Sequence, residues 1–388
     1  MKSKSICILT TTPGSIMVFY QGQIEALKKA GFKITVVCAD NKRISLTLPE
    51  GVDLVLVDFS RIIRPIRDIS VFWKLYKLFR NRKFEIIQYS TLKASLLGSI
   101  AAFCAKSPIR IYILWGQYYM GLTGVKRFIM KMVEKIICRI STHILPISHE
   151  MVDFIVKEGV TVRSKCGVML NGSACGVDLE RYNPETAKHF RDVIREKLAI
   201  PTNAVVIGTV ARLTGDKGVN ELVKAFDALC REFPLIYLLL VGTKEEKDQL
   251  RPSTEKILNK NPKICAVGWQ PDPIPYYAAM DIFCLPTYRE GFGEVNLEAQ
   301  AMCLPVVSTD VMGPRESVKN EVTGFLVKAG SSEALLEPLR RLAMSAELRK
   351  NMGKIGRERV GQMFNRKDMI KAVVDHRLNL VKEIEDAL

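Results

Sequence analysis

Short apolar runs alternate with longer, half-polar stretches along nearly the whole chain. The opening shows the repeating unit: Ile6 to Leu9 reads as a buried strand and Pro13 with Gly14 as a turn. A helical stretch holding Ile24 and Leu27 follows, Gly31 closes it, and Ile34 to Cys38 forms a second strand. Leu54 to Val57, Ile86 with Ile87, Ile111 to Leu114 and Ile144 to Pro146 repeat the strand signal. A polar helical segment, Pro184 to Leu198, is followed closely by Pro201 and reads as a boundary. The alternation then restarts with strands at Val205 to Val210, Ile236 to Val241, Ile264 to Val267, Ile282 to Pro286, Val306 to Thr309 and Phe325 to Val327, and a helix at Val219 to Phe233. Such alternation predicts an α/β protein of two Rossmann-like, doubly wound domains, each a parallel sheet covered on both faces. The expected division is 1–185 and 186–366, with a last helix at about 367–388 packing back on the first domain. Ligands of such domains bind at the carboxyl ends of the strands, so the site is expected in a cleft between the two.

Composition narrows the picture. With 388 residues, 48% of them hydrophobic and 25% charged, the chain has the balance of a globular protein large enough for two cores. A formal net charge of +16 calls for an anionic partner: nucleic acid, anionic lipid or a phosphorylated small molecule. The 10 cysteines show no Cys-x-x-Cys spacing and sit mostly in apolar runs, which points to buried, reduced thiols of a cytoplasmic protein. Lys2 and Lys4 precede an apolar run of strand length only, so they do not open a signal peptide. The longest run of apolar and small residues, Ala94 to Ala105, is well short of the ~20 residues that span a bilayer, so membrane contact is expected to be peripheral.

Candidate chemistry concentrates in two loops of the second domain. After the strand ending at Pro286, the loop Thr287 to Gly293 leads into a helix near Glu294, which turns free N–H groups and the positive end of a dipole toward a ligand. Gly291 and Gly293 permit close backbone approach, and Glu290 and Glu298 supply carboxylates suited to the paired hydroxyls of a sugar or ribose. A Glu-x7-Glu spacing by itself also arises by chance in charged chains. In the run Gly208-Thr209-Val210-Ala211-Arg212-Leu213-Thr214-Gly215-Asp216-Lys217-Gly218, a strand enters a glycine-bearing loop. Arg212 and Lys217 read equally as solvated charges or as a diphosphate grip, Arg binding two oxygens and Lys acting as a point charge.

The run Pro286-Thr287-Tyr288-Arg289-Glu290-Gly291-Phe292-Gly293-Glu294-Val295-Asn296-Leu297-Glu298-Ala299, followed by Pro305 to Asp310, Gly313, Glu316 and Thr323 to Val327, closely resembles the signature of family-4 retaining glycosyltransferases of the GT-B fold. The similarity extends over nearly the whole length. It implies that Glu290 contacts hydroxyls of the donor sugar, that Glu298 holds the nucleotide ribose, and that N–H groups near Phe292 and Gly293 reach the sugar or diphosphate. Arg212 and Lys217 resemble the family's Gly-Arg-Leu and Lys-Gly pair, which neutralises the departing diphosphate. Gln300, Met302 and Cys303 depart from the usual Met, Cys and Gly at helix-packing positions. The base is expected at Val267 to Gln270, where Trp269 either contacts it or simply packs. With no Asp-x-Asp motif and no cluster among the four histidines, no metal or other cofactor is expected.

On the acceptor side, Thr11 to Ser15 resemble the loop lying between donor and acceptor in relatives, so Gly14 is assigned to the donor and Ser15 to the acceptor. Ser90, Thr91 and Lys93 are expected in a second loop, in which Lys93 either meets an acceptor phosphate or, like its neighbours, is part of a simple loop cap. Trp115-Gly116-Gln117 stands where many relatives carry a His, so a His-assisted step is not expected. The opening loop and Leu92 to Gly98 look most like enzymes of capsule, O-antigen and N-glycan assembly, which move N-acetylhexosamines from UDP-sugars to polyprenyl-diphosphate-linked saccharides. Arg61 to Phe84 interleaves basic with aromatic and aliphatic residues, becoming amphipathic from Ile69. It reads either as a helix lying on the anionic inner face of the cell membrane or as a core-packed helix with a solvated basic face. A sugar-nucleotide epimerase or phosphorylase of the same fold is the alternative, and a nucleic-acid-binding role rests on charge alone and is not expected.

Overall fold

In the computed structural model, which describes residues 4–20, 22–40, 46–59, 64–246 and 248–387, the chain divides into two units, each built on one six-stranded sheet. Lys2 and Arg61 to Ile63, invoked above, lie outside the described residues. The first sheet comprises β1 (Ser5–Leu9), β2 (Lys33–Cys38), β3 (Asp53–Leu56), β4 (Ile86–Tyr89), β5 (Ile109–Leu114) and β6 (His143–Pro146). Its strands are all parallel, in the order β3-β2-β1-β4-β5-β6. The second comprises β7 (Val205–Val210), β8 (Ile236–Val241), β9 (Ile264–Ala266), β10 (Ile282–Leu285), β11 (Val306–Thr309) and β12 (Gly324–Val327), ordered β12-β11-β10-β7-β8-β9. Read from its other edge, the second order repeats the first. In each sheet the direction of winding reverses once, between β1 and β4 and between β7 and β10, and this reversal opens a crevice at the strand carboxyl ends.

The central strands are apolar on both faces because helices cover both. Ile6 to Leu9 are wholly buried, and the helix Leu92–Cys104 sits so close to β1 that a Cβ at Gly98 would lie 2.3 Å from a Leu9 methyl. The edge strand β3 lacks that cover and leaves Leu54 and Leu56 exposed.

The division of the chain differs from the expected one at its first boundary. One unit is Met1–Cys175 with Lys367–Leu388, and the other is Gly176–Arg366. Residues 176–185 thus belong to the second unit, where Val177 N–H donates to Phe364 (2.8 Å) and Arg366 N–H donates back to Val177 (3.0 Å). The polar helix Pro184–Lys197 is no linker. Its Arg195, 1% exposed, donates to the Ala279 and Ala204 carbonyls and to Asp281 Oδ2 at 2.7 Å, pinning the helix to the second sheet. In the first unit the last helix, Arg366–Ala387, places Leu380 and Val381 in the core with Ile6, Ile34 and Ile86. Its buried Arg377 donates from Nε (3.2 Å) and Nη2 (2.6 Å) to Gln88 Oε1 on β4. Of the cysteines, all free, Cys7, Cys38, Cys138, Cys175 and Cys284 are buried, whereas Cys104 is exposed, so burial is less general than the apolar runs suggest.

Candidate functional site

At the winding reversal of the second sheet, two loops meet. The loop after β7 carries Arg212, Asp216 and Lys217, and the loop after β10 carries Thr287 to Gly293. Their contact depends on Gly218, with φ of +72°. A Cβ there would stand 1.9 Å from the Pro286 carbonyl oxygen, so no other residue lets the backbones approach so closely. Asp216 stitches the loops together: its carbonyl accepts from Tyr288 N–H (2.9 Å) and the Thr287 hydroxyl (3.2 Å). Its own N–H donates to Asp248 Oδ2 at 2.8 Å.

Lys217 and Glu290 are brought together across this seam, Nζ to Oε1 at 2.6 Å, with side chains only 14% and 21% exposed. Arg212 stands beside them, 48% exposed, bonded to Glu245 Oε2 at 2.8 Å and close to Asp216 Oδ2 at 3.5 Å. Arg289 reaches the same Asp216 oxygen at 3.4 Å. Burial pushes the Asp216 carboxyl up, but the Thr214 hydroxyl, at 2.6 Å, and the charges of Arg212 and Lys217 outweigh it and hold it below the usual range. The result is a compact group of cations and carboxylates at a strand-end crevice, suited to a ligand with both a diphosphate and hydroxyls.

Glu298 lies on the short helix Glu294–Ala301, which begins from Gly293 at φ of +92°. The Tyr277 hydroxyl donates to its Oε2 at 2.9 Å. Burial raises its pKa, and the hydroxyls of Tyr277 and Tyr182, with the charges of Arg366 and Arg181, work against that rise. The two tyrosines were not legible beside Glu298: Tyr277 stands in an apolar stretch that signals only core, and Tyr182 in a polar run, Asp178 to Glu185, that signals only surface. Phe292, 1% exposed, is core, with its ring 5.5 Å from that of Phe364, and Gly313 packs its backbone against it. Gly291 is partly exposed on the loop. Trp269 is not packed: it is 69% exposed after the edge strand β9, on the far side of β8 from the reversal. Among the described residues no three His, Cys, Asp or Glu side chains gather as a metal site.

The first sheet's reversal is built from hydroxyls. Thr11 and Thr91, following β1 and β4, have their Oγ1 atoms 2.6 Å apart, and Thr11 N–H donates to Thr91 Oγ1 at 3.0 Å. Thr91 pays for this with φ of +66°, an outlier for a β-branched residue. Gly14 and Ser15 are not in a loop but in the first turn of the helix Pro13–Phe19, Ser15 Oγ lying 3.1 Å from Thr12 Oγ1. Lys93 likewise sits in the first turn of the helix Leu92–Cys104 and pairs with Asp68 at 2.7 Å. Gln117, 6% exposed, has neither side-chain amide atom bonded to protein among the described residues.

Residues 5–148 match the family model described as Glycosyl transferase 4-like, and residues 190–359 that described as Glycosyl transferases group 1. The capsular polysaccharide biosynthesis glycosyltransferase CapM of Staphylococcus aureus is 33% identical over 366 residues, covering 94% of this chain and 94% of that protein. The UDP-Gal:alpha-D-GlcNAc-diphosphoundecaprenol alpha-1,3-galactosyltransferase of Escherichia coli is 26% identical, covering 92% of each. The structure of HepE of Anabaena in complex with UDP-glucose superposes with a TM-score of 0.78 at 19% identity, over 97% of this chain and 99% of that one, a likeness of fold.

Proposed function

We propose that this chain, which belongs to the glycosyl transferases with a 4-like first domain and a group 1 second domain, moves an N-acetylhexosamine from its UDP donor to a saccharide carried on a polyprenyl diphosphate. It is a glycosyltransferase of the GT-B fold. The observation that carries the reading is the Lys217–Glu290 pair at 2.6 Å across the β7/β10 reversal. In the resting protein each charge satisfies the other. Donor binding exchanges the partners: Lys217 and Arg212 turn to the diphosphate, and Glu290 accepts from hydroxyls of the sugar. Glu298, held by Tyr277, accepts from the ribose.

The reaction retains configuration. The bond from sugar C1 to the β-phosphate oxygen breaks, and the acceptor oxygen bonds to C1 on the same face. The acceptor proton passes to the departing phosphate. No metal is needed in this reading, because Lys217 and Arg212 stabilise the negative charge that grows on UDP. Names of the relatives favour capsular polysaccharide assembly as the setting and a diphosphoundecaprenol-linked acceptor. No described helix is long and apolar enough to cross a membrane, and the enzyme works peripherally on the cytoplasmic face.

The test is UDP release from a panel of UDP-sugars, with and without a lipid-diphosphate saccharide, and NMR of the product's anomeric centre. Acceptor-dependent release and a retained anomer are expected. An epimerised donor formed without acceptor overturns the reading.

A further inference from the structure

The helix Gly124–Ile140 has two apolar faces, and only one is used. Glu134, Ile137 and Cys138 are buried against the first unit. On the other side Val125 (74%), Phe128 (65%), Ile129 (49%), Met132 (42%) and Ile136 (43%) are exposed. At about 100° per residue these five fall in a single stripe opposite the buried face, roughly 16 Å long. A helix of a water-surrounded protein ordinarily puts polar residues there. Exposed Lys126 and Lys135 flank the stripe on either side, and exposed Arg139 continues it. The helix's one acid, Glu134, is on the buried face.

A second helix of the same unit repeats the design. Pro65–Arg82 exposes Ile66 (88%), Ile69 (59%) and Trp73 (52%) beside Lys74 and Lys77, and the helix Leu92–Cys104 packs between the two. Each of these helices follows one strand of a parallel sheet and precedes the next, so their N-termini lie at the carboxyl edge of the sheet. Apart from Ile136, the exposed apolar residues of the two helices lie in their first halves, toward the same edge as Thr11 and Thr91.

We infer that the helix Gly124–Ile140 is the principal membrane-inserting element, lying in the surface of an anionic bilayer with Phe128, Ile129 and Met132 among the acyl chains and Lys126, Lys135 and Arg139 at the headgroups. Charge selects this occupant. A stripe edged by cations, on a chain of formal net charge +16, complements phospholipid headgroups. The inference rests on the lipid-linked acceptor proposed above. It moves the main contact from the basic helix, which the sequence singled out, to one whose exposed apolar face only the structure reveals.

The experiment uses the full chain with vesicles of phosphatidylglycerol and phosphatidylcholine, and of phosphatidylcholine alone. Replacing Phe128, Ile129 and Met132 together by Ser is expected to lower partitioning at least about tenfold, with the thermal midpoint unchanged. Lys126→Glu with Lys135→Glu is expected to abolish the preference for anionic vesicles. In a Phe128→Trp variant, brominated acyl chains are expected to quench emission beyond the wild-type level. Wild-type partitioning by the triple variant, no added quenching, or a wild-type dimer that the triple variant dissociates overturns the inference. Sugar transfer is measured in parallel: the triple variant is expected to act normally on a short, water-soluble acceptor and poorly on one in vesicles. Stripe-dependent vesicle binding without transfer to any acceptor overturns the proposed reaction and leaves the membrane contact standing.

Discussion

The two winding reversals share one strand order and carry opposite chemistry. At β7/β10 the loops meet through a lysine and a glutamate, with Gly218 providing the close approach. At β1/β4 they meet through two threonine hydroxyls, and a β-branched residue, Thr91, takes a backbone conformation that glycine would adopt freely. A charged seam suits a nucleoside diphosphate and its sugar. A neutral hydroxyl seam suits an acceptor hydroxyl, which a fixed charge would bind less selectively. The sheet supplies a crevice in either case, and the loops decide what enters it.

The sharpest way to break this contrast is Glu290→Gln. Turnover is expected to fall on the order of 1000-fold while the thermal midpoint holds, and the double variant with Lys217→Ala is expected to lose much less than the two single losses combined. Turnover near wild type would remove the charged seam from catalysis. Next comes Gly218→Ala, whose methyl group would collide with the Pro286 carbonyl; a loss of about 3 to 4 kcal/mol in denaturant unfolding is expected.

The units also treat an acid away from open water differently, Glu134 buried and Asp281 partly buried. Asp281 in the second is met by Arg191 and Arg195. Glu134 in the first is met only by the Tyr112 hydroxyl, at 2.9 Å, and by no cation among the described residues. Burial pushes Glu134 from its ordinary 4.5 up to about 7, the Tyr112 bond working against that. The folded state therefore holds this proton more tightly than the unfolded chain does, and stability falls as pH rises from 4.5 to about 7. The loss is at most about 3 kcal/mol, and Glu134→Gln is expected to flatten that part of the pH profile. An unchanged slope in the variant would assign the pH dependence to other groups. The smallest effect is expected from Thr91→Val, about 1 kcal/mol, seen as a several-fold rise in acceptor KM with donor KM unchanged. A change in donor KM instead would erase the distinction between the seams.

Periodicity made the two sheets legible, because a strand covered on both faces must be apolar throughout and its crossover helix must be half polar. The strands Val205–Val210, Ile236–Val241 and Val306–Thr309 stand where the pattern puts them. The same reasoning misread Pro184–Lys197 as a boundary, since a guanidinium at position 195 looks solvated until Asp281 and the carbonyls around it are seen. Glu290, Lys217 and Arg212 were conspicuous in the sequence because they stand in glycine-bearing loops after apolar strands and match the family's motif, and the structure brings Lys217 to Glu290. Tyr277, Tyr182 and Asp216 were not, since each acts through a partner distant in sequence.

What the amino-acid order determined by itself is local: which segments are strand or helix, and which loops carry charge beside glycine. Those follow from nearest-neighbour sterics and from a periodicity of two or 3.6 residues, both present in any short window. Tertiary structure alone decided that Lys217 meets Glu290, that Lys93 is held by Asp68, and that residues 176–185 join the second unit. It also decided which face of the helix Gly124–Ile140 stays uncovered. These are contacts between distant parts of the chain, set by packing and burial, and a linear pattern holds no record of which apolar face will find a partner.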